Sequence, residues 1–502
     1  LATVRGGDNA DTIRVDGSFT NSIINGNKGG DLITTNSGST TTSIFGGAGH
    51  DTIRLGNSAA SNFAQLYAGA GNDSITVTSG LQTIGTIVGG GLSDTISITN
   101  AFTAGTTIYG DGFGITTAGT GTGGTADGGD YIGGTAAELQ GGSAAGASVY
   151  GGGGADTIYF GLSSQDGLVA SSSIHNIFNG GNGADSINIS VDGASAQISK
   201  TSVLGGAGHD TITIRVGEGT AEQLFLDGGA GNDLMSSTAR WNTGSNTTSI
   251  MGGAGNDTVT LGGSGTQFYV DLGTHADTFT QTAGVNAVTI LGGAGADTIS
   301  MINSAAKGNI DSFVNGGAGN DSLTLGDLTA NTLALANTIT GGLGTDTISF
   351  GGSASLSAMA YSQLGTTVTS INSVVTYGAG DLISFDSTTV SATAANWFGG
   401  GAQVQVQTAL GVIGAAGGGA TGLAAGSVSV FSDGTDTYFN LLMTTAGANY
   451  SGSYVTTVIK GVDAVLTTAF GAVNLTTANF GFSLASNSTS AAAAFGVNVT
   501  LT

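Results

Sequence analysis

The chain has 502 residues, with 9 Lys and Arg against 33 Asp and Glu, a net charge of −24, 93 glycines, and neither proline nor cysteine. Such acidity is a poor match for nucleic-acid phosphates, which need basic contacts, and the missing cysteines exclude disulfides and thiolate metal centres. Glycine-rich disorder ordinarily comes with proline and high charge, yet only 8% of these residues are charged and Ile, Val, Leu and Phe recur regularly, which argues for packing rather than a flexible linker. Only three of the 33 acids are Glu (Glu138, Glu218 and Glu222), leaving 30 Asp. General solubility would draw on both. A short carboxylate held close to a turn backbone calls for Asp, and the surplus suits divalent cations.

The chain opens Leu1-Ala2-Thr3, without an initiator methionine, a basic n-region or an apolar h-region, and no apolar run reaches membrane-spanning length. The reading is a piece of a longer polypeptide that lacks an N-terminal anchoring region and does not span a membrane. From there a repeat takes over. Nine copies of Gly-Gly-x-Gly-x-Asp occur, at 46–51, 151–156, 180–185, 205–210, 228–233, 252–257, 292–297, 316–321 and 341–346. Degenerate versions fill the gaps, so that the turn-closing aspartates run Asp11, Asp31, Asp51, Asp73, Asp94, Asp130, Asp156, Asp185, Asp210, Asp233, Asp257, Asp277, Asp297, Asp321, Asp346 and Asp381. Most successive gaps are 20 to 29 residues.

Most copies continue into Asp-(Thr/Ser)-Ile-x-(apolar), an alternating short strand, with Ile53/Leu55, Ile75/Val77, Ile212/Ile214, Val259/Leu261 and Leu323/Leu325 as inward pairs. A second strand precedes the glycines, marked by Ile44, Val203, Ile250, Ile290 and Ile339. Between them lies a variable stretch rich in Ser, Asn, Thr and Gly. One period is therefore strand, irregular turn, strand, glycine turn, and stacked periods give two parallel sheets facing each other across a thin apolar core. The fold class is all-β, a parallel β-roll or β-solenoid with one calcium-binding glycine turn per coil. Threonine is common throughout but shows no sustained register along the chain, so a threonine face for ice or polysaccharide is not favoured.

Strands stacked about 4.8 Å apart would align the turn aspartates in a column, and neighbouring carboxylates at that spacing repel by about 0.9 kcal/mol even in water. A divalent ion between successive turns converts the repulsion into shared coordination, so that ion binding becomes folding free energy. Carboxylate and carbonyl oxygens on flexible loops suit calcium better than magnesium, and zinc would want clustered His, of which the whole chain has four. His50 and His209 precede motif aspartates, but the same slot takes Asn72, Asn232, Ala155 and Thr345, which marks it as outward and permissive.

These turns resemble the RTX (hemolysin-type calcium-binding) nonapeptide repeat, whose fold is a right-handed parallel β-roll. The resemblance implies that glycine carbonyls and the aspartate carboxylate of successive turns share each calcium. Carried over, the ligand sets are Gly46, Gly47 and Gly49 with Asp51; Gly151, Gly152 and Gly154 with Asp156; Gly180, Gly181 and Gly183 with Asp185; and Gly205, Gly206 and Gly208 with Asp210. They continue with Gly228, Gly229 and Gly231 with Asp233; Gly252, Gly253 and Gly255 with Asp257; Gly292, Gly293 and Gly295 with Asp297; Gly316, Gly317 and Gly319 with Asp321; and Gly341, Gly342 and Gly344 with Asp346. Asp73 joins them, and Asp11, Asp31, Asp94, Asp277 and Asp381 close degenerate turns. Unlike the tandem nine-residue pattern, only one turn per coil keeps the signature, so calcium is expected along one edge.

Residues 101–150 interrupt the period; they read as one glycine turn split by a long loop, with Asp111, Asp127 and Asp130 either an extra calcium cluster or part of a plain excursion. Residues 1–350 form the repeat region. From 351 to 502 the signature thins into degenerate final coils, then segments such as Ala392–Phe398 (a short helix), Gln403–Gln407, Asp433–Phe439, Thr456–Val462 and Leu475–Phe480. Their order resembles the strand-rich cap of type I secretion substrates, and the hydroxyl-rich end Phe495–Thr502 resembles the uncleaved export signal.

No Gly-x-Ser-x-Gly, His-Glu-x-x-His or cysteine nucleophile is present, and the evenly repeated aspartates read as ion ligands rather than one acid/base pair. Solenoid lyases and epimerases need converging basic groups that this chain scatters widely. The expectation is a non-enzymatic, secreted structural protein, an S-layer lattice subunit at the cell surface. Its partners would be further copies of itself and a surface anchor such as lipopolysaccharide, reached through the missing N-terminal region, with no nucleic acid. The alternative is the calcium-folding and secretion module of a larger RTX toxin, protease, lipase or adhesin.

Overall fold

The structure is a computed structural model. It describes residues 2–36, 40–56, 61–78, 81–98, 106–111, 128–134, 147–162, 168–169, 176–191, 197–216, 220–241, 248–263, 265–283, 285–301, 312–325, 337–344 and 346–350, with strand segments at 373–376, 382–385, 428–432, 437–442 and 454–460. Two units divide the chain, Leu1–Gly262 and Gly263–Thr502.

In the first unit every coil supplies one strand to each of two parallel sheets. The strand after the aspartate, such as Thr52–Leu55, pairs in register with Leu32–Thr35 before it and Ser74–Val77 after it. Its alternating apolar residues stack into one column: Ile33, Ile53, Ile75, Ile96, Ile132, Ile158, Ile187 and Ile212 all lie inside. The strand before the glycines builds the facing wall from Ile24, Ile44, Leu66, Ile87, Ile108, Val149, Phe178, Val203, Leu226 and Ile250, again in register. Each such side chain stabilises its rung by about 1.5–3 kcal/mol, and β-branched residues suit the pleated surface.

Thr and Ser do keep a register, contrary to the reading of the sequence. They recur immediately after the aspartate (Thr52, Ser74, Thr95, Thr157, Ser186, Thr211, Thr258) and two residues later (Thr76, Ser97, Thr213, Ser236, Thr260), on the outer face of the second sheet, the one built by the strands after the aspartate; the strands before the glycines build the first. The aspartate gaps vary with the intervening corner, so the column is hidden along the linear chain and emerges only when the coils stack.

The second unit repeats the plan with Thr278–Gln281, Thr298–Met301, Ser322–Leu325, Thr347–Phe350 and Leu382–Phe385 in one sheet. Its other sheet runs through Phe268–Thr274, Thr289–Ala294, Phe313–Ala318, Asn337–Leu343 and Ser373–Thr376. Tyr454–Lys460 then pairs parallel with Ser373–Thr376 and antiparallel with Thr437–Leu442, which pairs antiparallel with Val428–Ser432. This meander is the β-rich cap, and it covers a parallel edge that would otherwise template further pairing. The expected helix at 392–398, the strands at 403–407 and 475–480, and the tail 495–502 lie outside the described residues.

Candidate metal centre

The glycine turn is shaped by steric necessity. In the turn at 46–51, Gly47 and Gly49 have φ of 126° and 129°, the left-handed region that L side chains avoid. A Cβ at Gly47 would overlap the Asn27 carbonyl oxygen of the preceding coil, and one at Gly49 would overlap that of Gly29. Coils can therefore stack at strand spacing only if the turns stay bare. Asn27, Leu92 and His275 take the left-handed places in degenerate turns, with φ of 79°, 72° and 85°.

The aspartates do form a ladder. Each motif N–H donates to Oδ1 of the aspartate one coil on, from Asp11 to Asp31 (2.7 Å), Asp51 (2.7 Å), Asp73 (2.6 Å), Asp94 (2.7 Å), Asp130 (2.7 Å) and Asp156 (2.8 Å). It continues through Asp185, Asp210 and Asp233 to Asp257 at 2.7–2.8 Å. In the second unit Asp277, Asp297, Asp321 and Asp346 repeat it at 2.8–2.9 Å. From Asp31 onward these side chains are almost completely withdrawn from solvent; Asp156 and Asp210 are each 1% exposed.

One carboxylate oxygen is thus satisfied and the other is not. Oδ2 of Asp31, Asp51, Asp73, Asp94, Asp156, Asp185, Asp210, Asp233 and Asp297 is buried without a hydrogen-bond partner. A buried polar atom without a partner costs about 1–3 kcal/mol, and more when it is charged. Burial pushes Asp51, Asp233 and Asp297 up from the ordinary carboxylate range, and takes Asp73 and Asp210 to about 6, Asp185 to about 7, Asp94 to about 8 and Asp156 to about 9. At the last five the donated N–H pulls the other way, and neighbouring aspartates add to the rise.

The stranded oxygen faces a cradle kept empty by the first glycine. A Cβ at Gly46 would sit 2.6 Å from Asp51 Oδ2 and against the carbonyl oxygen of Ala68 in the next coil. At Gly205 it would meet Asp210 Oδ2 at 2.6 Å and the Gly228 carbonyl. Gly89, Gly151, Gly180, Gly228, Gly292 and Gly316 repeat this pairing of carboxylate oxygen and next-coil carbonyl. The donor set is oxygen only and partly anionic, which fits calcium. Among the described residues no three His or acidic side chains converge on one point, so backbone carbonyls must complete each coordination sphere. Two coils differ: Ala68 and Leu272, both fully buried, stand where the first glycine would be and place carbon in the cradle.

Asp111 does not sit in the ladder; Asp130 does. Asp111 pairs in register with Gly90, the second turn position, and its Oδ2 accepts the Gly153 N–H at 2.6 Å. Its charge adds to the upward push on Asp94 and Asp156. At the first coil the Asp11 Oδ2 accepts the Gly7 N–H at 2.6 Å. Asp127 and Asp381 lie outside the described residues.

A second, outer rail was not anticipated from the sequence. The fifth turn position is exposed, yet His50 Nδ1 accepts the Asn72 N–H at 2.8 Å and His209 Nδ1 accepts the Asn232 N–H at 2.7 Å. Asn232 Oδ1 in turn accepts the Asn256 N–H at 2.8 Å. The recurrence of His and Asn at this slot was the available signal: both offer an acceptor at the right reach, whereas Ala155 does not.

Comparison with known families agrees with this geometry. The RTX calcium-binding nonapeptide repeat (4 copies) matches residues 43–59, 65–80, 148–163, 243–264, 283–300, 310–327 and 336–354. The turns at 180–185, 205–210 and 228–233 fall outside those segments but occupy the same ladder. No curated protein sequence matches the chain. The chain carries RTX calcium-binding repeats of the hemolysin type, repeats that bind several calcium ions and occur in proteins that are typically secreted.

Proposed function

We propose that this carrier of RTX repeats is a non-catalytic, secreted structural protein, a subunit of a calcium-dependent S-layer that coats a cell surface and assembles with copies of itself. The observation that carries the reading is how much of the chain the ladder consumes. It runs from Asp11 to Asp257 in one unit and from Asp277 to Asp346 in the other, so the repeat fills most of these 502 residues. The ligands would be the ladder carboxylates from Asp31 to Asp346, with the carbonyls of the first-position glycines one coil on. Calcium supplies charge neutralisation to a column that is otherwise buried and self-repelling, while the chain's own N–H groups orient one oxygen of each carboxylate.

A second reading is the calcium-folding and secretion module of a larger RTX toxin, protease, lipase or adhesin. The antiparallel meander at 428–460, which closes the stack, favours it, because a self-contained cap suits a free-standing module. The two part on one experiment. Calcium added to the purified chain should give ordered sheets or large oligomers by electron microscopy and light scattering. A folded protein that stays a dispersed monomer would reject the coat and leave the module.

A further inference from the structure

The two outer faces of the first unit obey the same folding constraints but differ in chemistry. Between Thr52 and Tyr159 the outer face of the second sheet is mainly hydroxyl, with Thr52, Ser74, Thr76, Thr95, Ser97 and Thr157, and neither of its columns holds two adjacent aromatic residues. In the same coils the outer face of the first sheet carries an unbroken large apolar column, Phe45, Tyr67, Val88, Tyr109 and Tyr150, in direct register. The Tyr109 and Tyr150 rings stack at 5.2 Å and 13°, and the Phe45 and Tyr67 rings meet at 6.5 Å. The four aromatic residues are half-buried and Val88 is buried. The opposite face, with Thr and Ser interrupted by Arg54, Tyr131, Gly133 and Tyr159, folds without such a column. A row of partly exposed aromatic side chains of this kind marks contact sites.

Beside the ridge runs a furrow two residues earlier on each strand, made by Ser43, Gln65, Thr86, Thr107 and Ser148. Neither column contains an acidic or basic residue, in a chain of net charge −24. Fourteen of the 33 acids are the buried ladder aspartates from Asp31 to Asp346, and outside them acids still outnumber bases by 19 to 9, so two copies meet with least repulsion through an uncharged face. The Tyr109 and Tyr150 ring faces lie against each other, which makes that pair a poor platform for a flat sugar or base. A ridge and furrow repeating at about 4.8 Å are matched by a surface of the same period, as when two sheets pack face to face.

We infer that this ridge and furrow dock a second copy of the same chain, ridge into furrow, as one subunit contact of the assembly. The inference rests on the self-assembling reading above and names its contact. The test uses the full chain in calcium and follows self-association by sedimentation velocity. The variants are Tyr67→Glu with Tyr150→Glu, the milder Tyr67→Ser with Tyr150→Ser, and Thr95→Glu on the other face as control. The ridge variants should weaken self-association at least tenfold with calcium content and circular dichroism unchanged, and the control should assemble like the parent. Should the Glu pair lose its β spectrum, the Ser pair decides. Ridge variants that assemble at the parent's concentration, or an equal loss in the control, would overturn the docking face while leaving the coat standing. A parent chain that stays monomeric would overturn both.

Discussion

The two corners of each coil solve the same problem by different means. Both must satisfy backbone and side-chain polar groups where a strand turns beside the core. At the corner opposite the glycine turn, buried neutral groups bond to one another: Asn176 Oδ1 accepts the Ala147 N–H at 3.0 Å, Asn176 Nδ2 donates to Thr201 Oγ1 at 3.3 Å, and Thr201 Oγ1 donates to the Ser199 carbonyl at 3.0 Å. Thr248 Oγ1 accepts the Leu224 N–H at 3.3 Å. Among the described residues of that corner nothing calls for an ion, and Thr41, Lys200 and Gln223 absorb the bend at φ of 53°, 47° and 51°. At the glycine corner Asp31, Asp51, Asp73, Asp94, Asp156, Asp185, Asp210, Asp233 and Asp297 each keep one oxygen buried and unmet by the chain. One corner is closed by the polypeptide; the other is closed only with help. This is why the first tolerates varied sequence while the second repeats.

That contrast breaks most visibly with pH in the absence of metal. Asp73, Asp94, Asp156, Asp185 and Asp210 hold protons more tightly folded than unfolded, where an aspartate lies near 3.8, so the folded state binds more protons as pH rises above that value. Stability of the calcium-free protein is therefore fully present below about pH 4 and is lost as pH climbs through the folded values of about 6 to 9. Circular dichroism in chelator should show β structure in acid and coil at pH 8, and calcium should abolish the difference. A chelated protein equally folded at both would place the ladder elsewhere in the energetics.

Asp156→Asn sharpens the comparison. The amide oxygen still accepts the Asp130 N–H, but the charge is gone. In calcium the variant should bind fewer ions and lose about 2–4 kcal/mol by denaturant titration. In chelator at neutral pH it should be more stable than the parent, which must take up a proton at Asp156 in order to fold. A variant destabilised equally under both conditions would mean that only packing was lost.

Gly205→Ala comes next, placing carbon in the cradle beside Asp210 Oδ2. It should cost about 1–3 kcal/mol in calcium and lower the ion count, and Ala68→Gly should raise the count. Unchanged counts in both would show that the ion does not occupy the space under the first glycine. The smallest effect belongs to the neutral corner: Thr201→Val should cost about 1 kcal/mol, with bound calcium unaltered by elemental analysis.

Much of this was legible in the sequence because the repeat is written in steric and ligand chemistry. Glycine where φ is positive, aspartate at the turn's close and Ile-x-(apolar) beyond it appear in nearly every coil, and the ladder members from Asp11 to Asp346 follow from them. What stayed hidden depends on contacts between coils. That Asp51 Oδ1 caps the Asp31 N–H while its Oδ2 is stranded is a three-dimensional division of labour no spacing encodes. Asp130 keeps the ladder place read for it, whereas Asp111, read as part of an extra cluster or an excursion, is put by register at a glycine position. The threonine columns and the aromatic ridge were masked by corners of unequal length, which shift residues along the chain but not across the sheet.

The most direct measurement follows bound calcium and β-sheet content together as calcium is titrated into stripped protein at neutral pH. Ion uptake and β signal should rise in one cooperative step, with several ions per chain at the plateau. A full β spectrum before any ion has bound would contradict the claim that the aspartate edge cannot close on its own.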